Sequence, residues 1–341
     1  MKKLQMTYSP FELNFNNPFL TSKKKLKKRE GILIKIKYDN FTGLGECSPF
    51  PEFGSETLED ATNKIKDFKL KLNLEPDNFI NNLNNSLSEL DDFPSLKHGI
   101  EQALLNLICN KTKLPLNELL NVTLNSSISV NSVIGFLPSD QTLTVCQNYL
   151  EEGFKAIKLK VGRDNFEDDI EIISLIRSKL GSDFNLRLDA NRKWNFTTAE
   201  KVFNLLKNLQ IEYVEQPVNS IDEFIKLKSC SKIHIAADES IRNYSDAVTF
   251  IQKKAVDVII LKPMMLGGLL PTLKIIELCE KNKIIVVITT TFESALGRAN
   301  AIFAASTIKN KIAHGLSTAK YFENDLFPDP YTVKNGVIKL Y

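Results

Sequence analysis

The sequence has few of the residues that mark disulfide-rich, zinc-binding or membrane proteins. Its 341 residues include five widely separated cysteines, which form no C-x-x-C pair, and only three histidines. This pattern argues against a disulfide framework and against a structural zinc site. No window approaches the ~20 uninterrupted apolar residues of a membrane-spanning helix. Polar residues follow the first three residues too closely to leave the apolar stretch that a signal peptide requires. We therefore expect a cytoplasmic protein that does not insert into a membrane.

The chain also lacks a strong excess of one charge. Lys and Arg total 44 against 41 Asp and Glu, a formal charge of +3. So small an imbalance does not by itself predict nucleic acid or an acidic membrane as partner. The densest basic block, residues 23–29, has no aromatic platform, and we interpret it as a solvated loop. Specificity is expected from a local site for a small molecule, with monomer and homo-oligomer both left open.

From residue 156 onward, short apolar runs recur, each followed by a stretch with helical periodicity. The residues that close the first five runs stand roughly 23 to 29 positions apart, the length of a βα repeat: Lys160, Asp189, Glu215, Asp238 and Lys262. With further runs at residues 130–136, 284–289 and 312–315, the pattern predicts eight parallel strands. We expect an α/β fold, a modified TIM barrel of the (β/α)7β type over residues 126–318. A barrel gathers successive strand ends at one mouth, whereas a doubly wound sheet spreads them along a crevice.

Residues 1–125 have a different pattern, which predicts an α+β capping domain. Residues 31–38 alternate apolar and polar side chains and lead into Gly43-Leu44-Gly45-Glu46, which we interpret as a glycine-rich turn of an antiparallel meander. Helical periodicity follows near residues 57–72 and 95–110. The tail, residues 319–341, contains Asn335-Gly336, typical of a type I′ hairpin turn, and is expected to pack on this first domain.

Three lysines at strand positions are candidates for acid/base chemistry. Lys158 and Lys160 lie two apart on a predicted strand, so both side chains point to one face, into the barrel. Crowded ammonium groups favour loss of a proton from one of them, which suits a base. For this pair alone, a solvent-exposed edge strand is the more ordinary interpretation. Lys262 closes a later apolar strand and is expected to face the same site, the alternative being a lysine whose head reaches water.

Carboxylates close the three strands in between. Asp189, Glu215 and Asp238 would bring three hard oxygen ligands to one barrel mouth, which suits Mg²⁺ completed by water or substrate oxygens. Each acid alone is explained as a helix N-cap, but three at matched strand ends are not. Asn191 and Glu239 are candidate accessory residues. With the lysines, these groups predict a site that removes a proton next to a substrate carboxylate.

In these motifs the chain resembles the enolase superfamily, in its muconate-lactonizing subgroup. The K-x-K, D-x-N, E-Q-P, A-D-E-S and L-K-P elements follow in the family order, after G-L-G-E-C-S-P at residues 43–49. Within the subgroup, P-E-F-G-S-E-T at 51–57 and F-E-S-A-L-G at 292–297 are most similar to the branch that forms o-succinylbenzoate for menaquinone biosynthesis. The resemblance therefore covers nearly the whole chain.

The resemblance implies a Mg²⁺-dependent lyase, with Mn²⁺ able to substitute, that dehydrates 2-succinyl-6-hydroxy-2,4-cyclohexadiene-1-carboxylate. It implies that Lys160 removes the α-proton and then protonates the departing hydroxyl on the same face. Lys262 would stabilise the enediolate from the opposite face, and Lys158 would neutralise the carboxylate. The metal ligands would be Asp189, Glu215 and Asp238.

Two alternatives stay open. An N-acylamino acid racemase or dipeptide epimerase of the same subgroup would use Lys160 and Lys262 as opposed acid and base. Dipeptide epimerases usually have a D-x-D element at the eighth strand, where this chain has Gly315-Leu316-Ser317. The alternative from another class is a non-catalytic barrel that keeps the metal site, although such a protein would not need both lysines.

Overall fold

The computed structural model describes residues 4–20, 25–70, 72 and 79–340. The first part of the chain forms an antiparallel sheet in the order β1-β2-β3, with strands Gln5–Leu20, Lys25–Tyr38 and Phe41–Cys47. Four helices follow it: α1 (Leu58–Asp67), α2 (Phe79–Ser86), α3 (Pro94–Thr112) and α4 (Leu116–Leu119). This is the α+β arrangement that the sequence predicts for the capping domain.

The second part alternates strands and helices after a short strand β4 (Ser127–Ser129). Seven strands pair in parallel, in chain order: β5 (Ser132–Ile134), β6 (Ala156–Lys160), β7 (Asn185–Asp189), β8 (Ile211–Glu215), β9 (His234–Ala237), β10 (Val258–Leu261) and β11 (Ile285–Ile288). Each is followed by a helix: α5 (Ser139–Glu151), α6 (Phe166–Leu180), α7 (Phe196–Leu206), α8 (Ile221–Cys230), α9 (Tyr244–Gln252), α10 (Leu269–Lys281) and α11 (Ala295–Ser306). Across the described residues, no helix combines the length and apolar character needed to traverse a bilayer.

The parallel sheet is closed by residues 314–315. Parallel bridges join His314 to Val130 and Gly315 to Thr289, so this segment stands between the two edges of the sheet. The Gly315 N–H donates to the Ile288 carbonyl at 2.8 Å. The eighth strand is thus reduced to bridge residues at the predicted position, and the predicted modified TIM barrel with a capping domain is confirmed.

The glycines at 43 and 45 allow β3 to lie directly on α3. A Cβ on Gly45 would come within 1.9 Å of the Gly99 carbonyl oxygen, and one on Gly43 within 1.8 Å of the Ala103 oxygen. The prediction of a turn at residues 43–46 is therefore wrong, because these residues lie within β3 and the turn is at residues 39–40. The glycines serve close packing against a helix that is distant in sequence.

Two carboxylates of the capping domain bind the N-termini of barrel helices. Glu101 on α3 accepts hydrogen bonds from the first backbone N–H groups of α10, including Leu270 at 3.1 Å. Glu46 on β3 accepts from the Ser294 and Gly297 N–H groups at the start of α11, at 3.1 and 2.9 Å. Both glutamates are fully buried. Because the first N–H groups of a helix lack intrahelical partners, these contacts fix the capping domain on the barrel.

The basic block is not the solvated loop that its composition predicts. Lys23 and Lys24 lie outside the described residues, whereas residues 25–29 belong to β2. Arg29 is only 6% exposed and donates to the Ser48 and Pro49 carbonyls at 2.8 and 2.9 Å. The prediction is wrong there because alternate residues of a strand face opposite sides, and Arg29 faces the interior.

The tail divides between the two parts of the molecule. Phe322 stacks on Phe15 of β1, with ring centroids 4.9 Å apart. Further on, β12 (Val333–Lys334) and β13 (Val337–Lys339) form a hairpin whose turn residues Asn335 and Gly336 both have positive φ. Within the hairpin, β13 pairs with β4, which begins just after the expected boundary at residue 125, so the packing of this part of the tail on the capping domain stays a prediction. The domain boundaries themselves stay predictions.

Candidate active site

The residues predicted to carry the chemistry lie at the carboxyl ends of neighbouring barrel strands. The strand register places Lys160 of β6 beside Asp189 of β7, and Asp189 beside Glu215 of β8. Asp238 directly follows β9, and Lys262 directly follows β10. Because the strand ends of a barrel converge at one mouth, side chains from five consecutive repeats meet in one site.

Both lysines of β6 point into the barrel and contact carboxylates. Lys160 Nζ lies 2.6 Å from Asp189 Oδ2 and 2.6 Å from Asn191 Oδ1. Lys158 Nζ lies 3.1 Å from each Glu215 carboxylate oxygen and 3.3 Å from Asp189 Oδ2. Since β6 is paired on both edges, by β5 and β7, the edge-strand interpretation of this lysine pair is wrong.

Lys262 approaches the site from β10 and is covered by the capping domain. Its side chain is 10% exposed and forms an ion pair with Asp238. The ring of Phe53, in the short 3-10 helix Pro51–Phe53, lies over the ammonium, with Nζ 4.6 Å from the ring centroid. Phe53 in turn packs edge-on against Phe50, on which the Arg29 guanidinium stacks. Lys262 is therefore held in a cation–π contact and does not extend into water.

Burial and neighbouring charges control ionisation in this cluster. Burial, followed by repulsion from the Asp189 and Asp238 carboxylates, raises the pKa of Glu215 to about 8. Burial also disfavours ionisation of Asp189, but the ammonium groups of Lys160 and Lys158 outweigh it and hold the pKa of Asp189 below its usual range. For Lys158, burial lowers the pKa, and the Glu215 and Asp189 carboxylates more than reverse that effect. The acids and lysines thus compensate one another's charge.

The three acids at the mouth have the chemistry of ligands for a divalent cation. Asp189, Glu215 and Asp238 are 1%, 1% and 5% exposed and lie at the ends of three neighbouring strands. Buried hard oxygen donors of this kind suit Mg²⁺. In the described part of the chain, however, no three His, Cys, Asp or Glu side chains are arranged ready to hold a metal, since each of these acids faces a lysine instead.

Asn191 and Glu239 link two of the loops at the mouth. Asn191 Nδ2 donates to Glu239 Oε1 at 3.0 Å, and the other carboxylate oxygen of Glu239 is buried without a hydrogen-bond partner among the described residues. The residue that sequence reasoning missed here is Gln216. Its side-chain oxygen accepts from the Asp238 N–H at 3.0 Å, and its amide donates to Ser240 Oγ at 2.8 Å. The E-Q-P motif contained it, but nothing local indicated that it positions the next strand's loop.

A cavity of about 270 Å³ opens above these residues. Its roof is the capping loop, including Phe53, and the loops after β7 and β9 contribute Arg192 and Arg242. The opposite wall carries aromatic and hydroxyl groups: Thr290, Phe292, Ser317, Thr318 and Tyr321. Sequence reasoning assigned no role to Arg192 or Phe53, although Arg192 follows Asp189 by three positions in the same strand-end loop.

The chain matches two protein families and is similar to proteins of known activity. Residues 141–341 match the family described as enolase C-terminal domain-like, and residues 2–107 match that described as MenC, N-terminal domain. The o-succinylbenzoate synthase of Bacillus subtilis is 26% identical, over 98% of this chain and 91% of its own length. The hydrophobic dipeptide epimerase of Enterococcus faecalis is 31% identical, over 91% of this chain and 88% of its own.

Solved structures share the fold over the full length. The dipeptide epimerase of Enterococcus faecalis, in complex with Mg and the dipeptide L-Leu-L-Tyr, superposes with a TM-score of 0.89 at 28% identity. That alignment covers 100% of this chain and 98% of the other. Synthase and epimerase relatives are thus similarly related to this chain, and overall similarity does not discriminate between their activities.

Proposed function

The chain belongs to the enolase superfamily, and from that membership we propose that it is an o-succinylbenzoate synthase. Its reaction would be the dehydration of 2-succinyl-6-hydroxy-2,4-cyclohexadiene-1-carboxylate to o-succinylbenzoate, in menaquinone biosynthesis. The match of residues 2–107 to the MenC N-terminal domain supports this choice, because that part of the chain supplies the roof of the cavity.

The observation that carries the proposal is the polarity of the cavity wall. At the end of the eighth strand, Ser317 and Thr318 supply hydroxyls and Gly315 has no side chain, so this part of the wall has no carboxylate. A dipeptide substrate has an ammonium group that needs an anionic partner; the end of the eighth strand supplies none, and the cavity carboxylates Asp189, Asp238 and Glu239 come from other strand ends, the first two of them paired with lysines. A substrate whose own charges are negative fits this wall better.

The lysines have the positions that a proton transfer requires. Lys160 is proposed to take the proton from the carbon next to the ring carboxylate, whose bonding electrons pass into the enediolate. The same ammonium then gives that proton to the departing hydroxyl, so that the C–O bond breaks and water leaves as the ring becomes aromatic. Lys158, two residues away on the same face, adds positive charge beside the carboxylate.

Lys262 is proposed to stabilise the enediolate from the other face of the ligand. It enters from β10, four strands from β6, and Phe53 restricts its position. Mg²⁺ held by Asp189, Glu215 and Asp238, with Mn²⁺ as a substitute, would supply positive charge to the substrate carboxylate. Asn191 and Glu239 are proposed to support this set from the adjoining loops.

Epimerisation is the second candidate, favoured by the same pair of lysines. Lys160 and Lys262 both line the cavity and come from separate strands, as opposed acid and base groups would. An N-acylamino acid racemase or dipeptide epimerase would use that arrangement. The acid-free end of the eighth strand argues against a dipeptide but not against an N-acylamino acid.

Turnover assays distinguish these activities. The protein is incubated with the cyclohexadiene substrate, with N-succinylamino acids and with dipeptides, each with Mg²⁺ and with excess EDTA. We expect EDTA-sensitive formation of o-succinylbenzoate, with Lys160→Ala as the inactive control. Epimerisation of dipeptides without dehydration would overturn the proposal, and metal binding without any turnover would indicate the non-catalytic barrel.

A further inference from the structure

Arg192 is a positive charge in the cavity that forms an ion pair with no carboxylate of the described residues. Its side chain lines the cavity, and its Nε is buried without a hydrogen-bond partner among the described residues. Buried polar groups without partners are rare, because they lose their hydrogen bonds to water without replacement, and the cost is greater for charged groups. An unpaired guanidinium nitrogen at a ligand cavity therefore indicates a group that the ligand supplies.

The three lysines of the cavity differ from Arg192 in this respect. Lys158, Lys160 and Lys262 each contact a carboxylate within 4 Å. Arg242 is exposed, and its Nε donates to the Glu239 carbonyl at 3.4 Å. Within the described ranges, Arg192 forms no ion pair with any Asp or Glu. Arg192 is thus available to an incoming anion; Arg242, which also forms no ion pair within these ranges, differs in being exposed, with its Nε already hydrogen-bonded.

The backbone holds Arg192 in a fixed position. Its φ is +65°, in the left-handed region, and its N–H donates to the Gln216 carbonyl at 2.8 Å. This conformation is unfavourable for a non-glycine residue, so surrounding contacts must impose it. The guanidinium is therefore presented by a constrained loop, as a preorganised binding group is.

From these contacts we propose that Arg192 binds a second carboxylate of the substrate, distant from the reacting one. The reacting carboxylate belongs with the lysines and acids at the strand ends, so the anion at Arg192 is a different group. A planar guanidinium binds a carboxylate through two parallel hydrogen bonds, which a lysine cannot reproduce. The inference rests on the proposed function and specifies it: the substrate carries two carboxylates, and Arg192 selects for the one on the acyl tail.

Binding measurements on matched ligands test the inference without turnover. The probes are o-succinylbenzoate and 2-butanoylbenzoate, which share the ring and the chain length but differ in the terminal carboxylate. With Mg²⁺ present, calorimetry on the wild type should give at least tenfold tighter binding of o-succinylbenzoate. Arg192→Gln should lose most of that preference and leave binding of 2-butanoylbenzoate unchanged, and Arg192→Lys should recover it only in part.

Lys193→Gln is the matched control. Lys193 has the same charge and the adjoining position, but it is exposed and does not line the cavity. This variant should keep the wild-type preference. An Arg192→Gln variant that also kept it would overturn the inference, and an equal loss in both variants would reduce the effect to net charge and overturn it as well.

A second ligand pair separates this inference from the proposed function. N-succinylphenylalanine and N-butanoylphenylalanine have the same tails on an amino acid that cannot be dehydrated to an aromatic ring. If the protein lacks dehydratase activity but Arg192 still discriminates this pair, the proposed function fails and the subsite stands. If wild-type protein discriminates neither pair, the second-carboxylate subsite is wrong whatever reaction the protein catalyses.

Discussion

Buried carboxylates occur in two regions of the molecule, and they are compensated differently in each. At the barrel mouth, Asp189, Glu215 and Asp238 each face a lysine ammonium. At the contact between the capping domain and the barrel, Glu46 and Glu101 accept hydrogen bonds mainly from backbone N–H groups at helix N-termini. Side-chain ions can exchange partners when a ligand arrives, whereas backbone groups cannot. The ion pairs at the mouth can therefore rearrange when a ligand binds, whereas the hydrogen bonds between the domains stay in place.

The electrostatic consequence is visible in Glu101. Burial raises its pKa to about 7, although two backbone hydrogen bonds favour the charged form. Asp189 is just as buried, yet two ammonium groups keep its pKa below the usual range. The ammonium charges outweigh the effect of burial on the pKa of Asp189, whereas the backbone dipoles do not outweigh it for Glu101. Substitutions at the mouth and at the domain contact should therefore affect different properties of the protein.

Removing a lysine at the mouth should have the largest effect, and it should affect catalysis. Lys160→Ala is expected to lower turnover by about 10²–10⁴-fold, because the proposed mechanism assigns both proton transfers to Lys160. Thermal unfolding should change little, since Lys158 remains within 3.3 Å of Asp189. Steady-state kinetics and circular dichroism measure the two effects. Lys155→Ala, which removes an exposed lysine just before β6, is the control; wild-type turnover in Lys160→Ala would contradict the assigned base.

Removing a carboxylate at the domain contact should affect stability instead. Glu101→Ala is expected to lower the free energy of unfolding by about 3 kcal/mol, because it leaves the first N–H groups of α10 buried without acceptors. Urea denaturation measures this loss. Glu118→Ala, at an exposed position on α4, should change stability by less than about 0.5 kcal/mol. Equal effects of the two substitutions would mean that the contact with α10 does not stabilise the fold.

The same carboxylate should give a pH dependence with a defined sign. The pKa of Glu101 is higher in the folded chain, about 7, than its ordinary value of 4.5, so the folded state binds the proton more tightly. The contribution of its protonation to the free energy of unfolding is complete below about pH 4.5 and is lost as the pH rises towards 7. The loss between pH 5 and 7 is about 2 kcal/mol. Buried His98, whose pKa burial lowers to about 4, opposes this trend, because its contribution is lost as the pH falls from 6.5.

The difference between wild type and Glu101→Gln isolates the glutamate, since both proteins keep His98. Glutamine retains an acceptor for the α10 N–H groups but does not titrate. The wild type should therefore lose stability relative to Glu101→Gln between pH 5 and 7 in urea denaturation. Parallel stability curves over that range would show that Glu101 is ionised as easily in the folded chain as in the unfolded one.

The two regions also differ in how far the sequence predicts them. The barrel mouth follows from local patterns: each apolar run ends in a polar residue, and a parallel sheet brings such ends together. The strands found at Asn185–Asp189 and Ile211–Glu215 end at the predicted residues. The sequence did not predict the roles of Gln216 and Arg192 at the mouth, because these roles depend on loops that follow other strands.

The domain contact could not be predicted in this way. Gly43 and Gly45 have the local pattern of a turn. They must be glycines because a Cβ at either position would clash with carbonyl oxygens of a helix more than fifty residues away. Glu101 lies within an apolar helical stripe and resembles an ordinary charged residue until α10 is placed against it. Long-range packing decides both cases, and a window of one sequence contains no information about it.

The smallest expected effect compares two helix N-caps, one inside the domain contact and one outside it. The Ser294 hydroxyl accepts from the Leu296 N–H at 3.1 Å and donates to Glu46, whereas Asn195 caps α7 at the exposed surface. Loss of a cap alone costs about 1 kcal/mol, so Asn195→Ala should lower the free energy of unfolding by about that amount. Ser294→Ala should cost up to about 1 kcal/mol more, because buried Glu46 also loses a hydrogen-bond donor. Urea denaturation of both variants measures the gap, and equal costs would mean that the backbone N–H groups of α11 satisfy Glu46 without the hydroxyl.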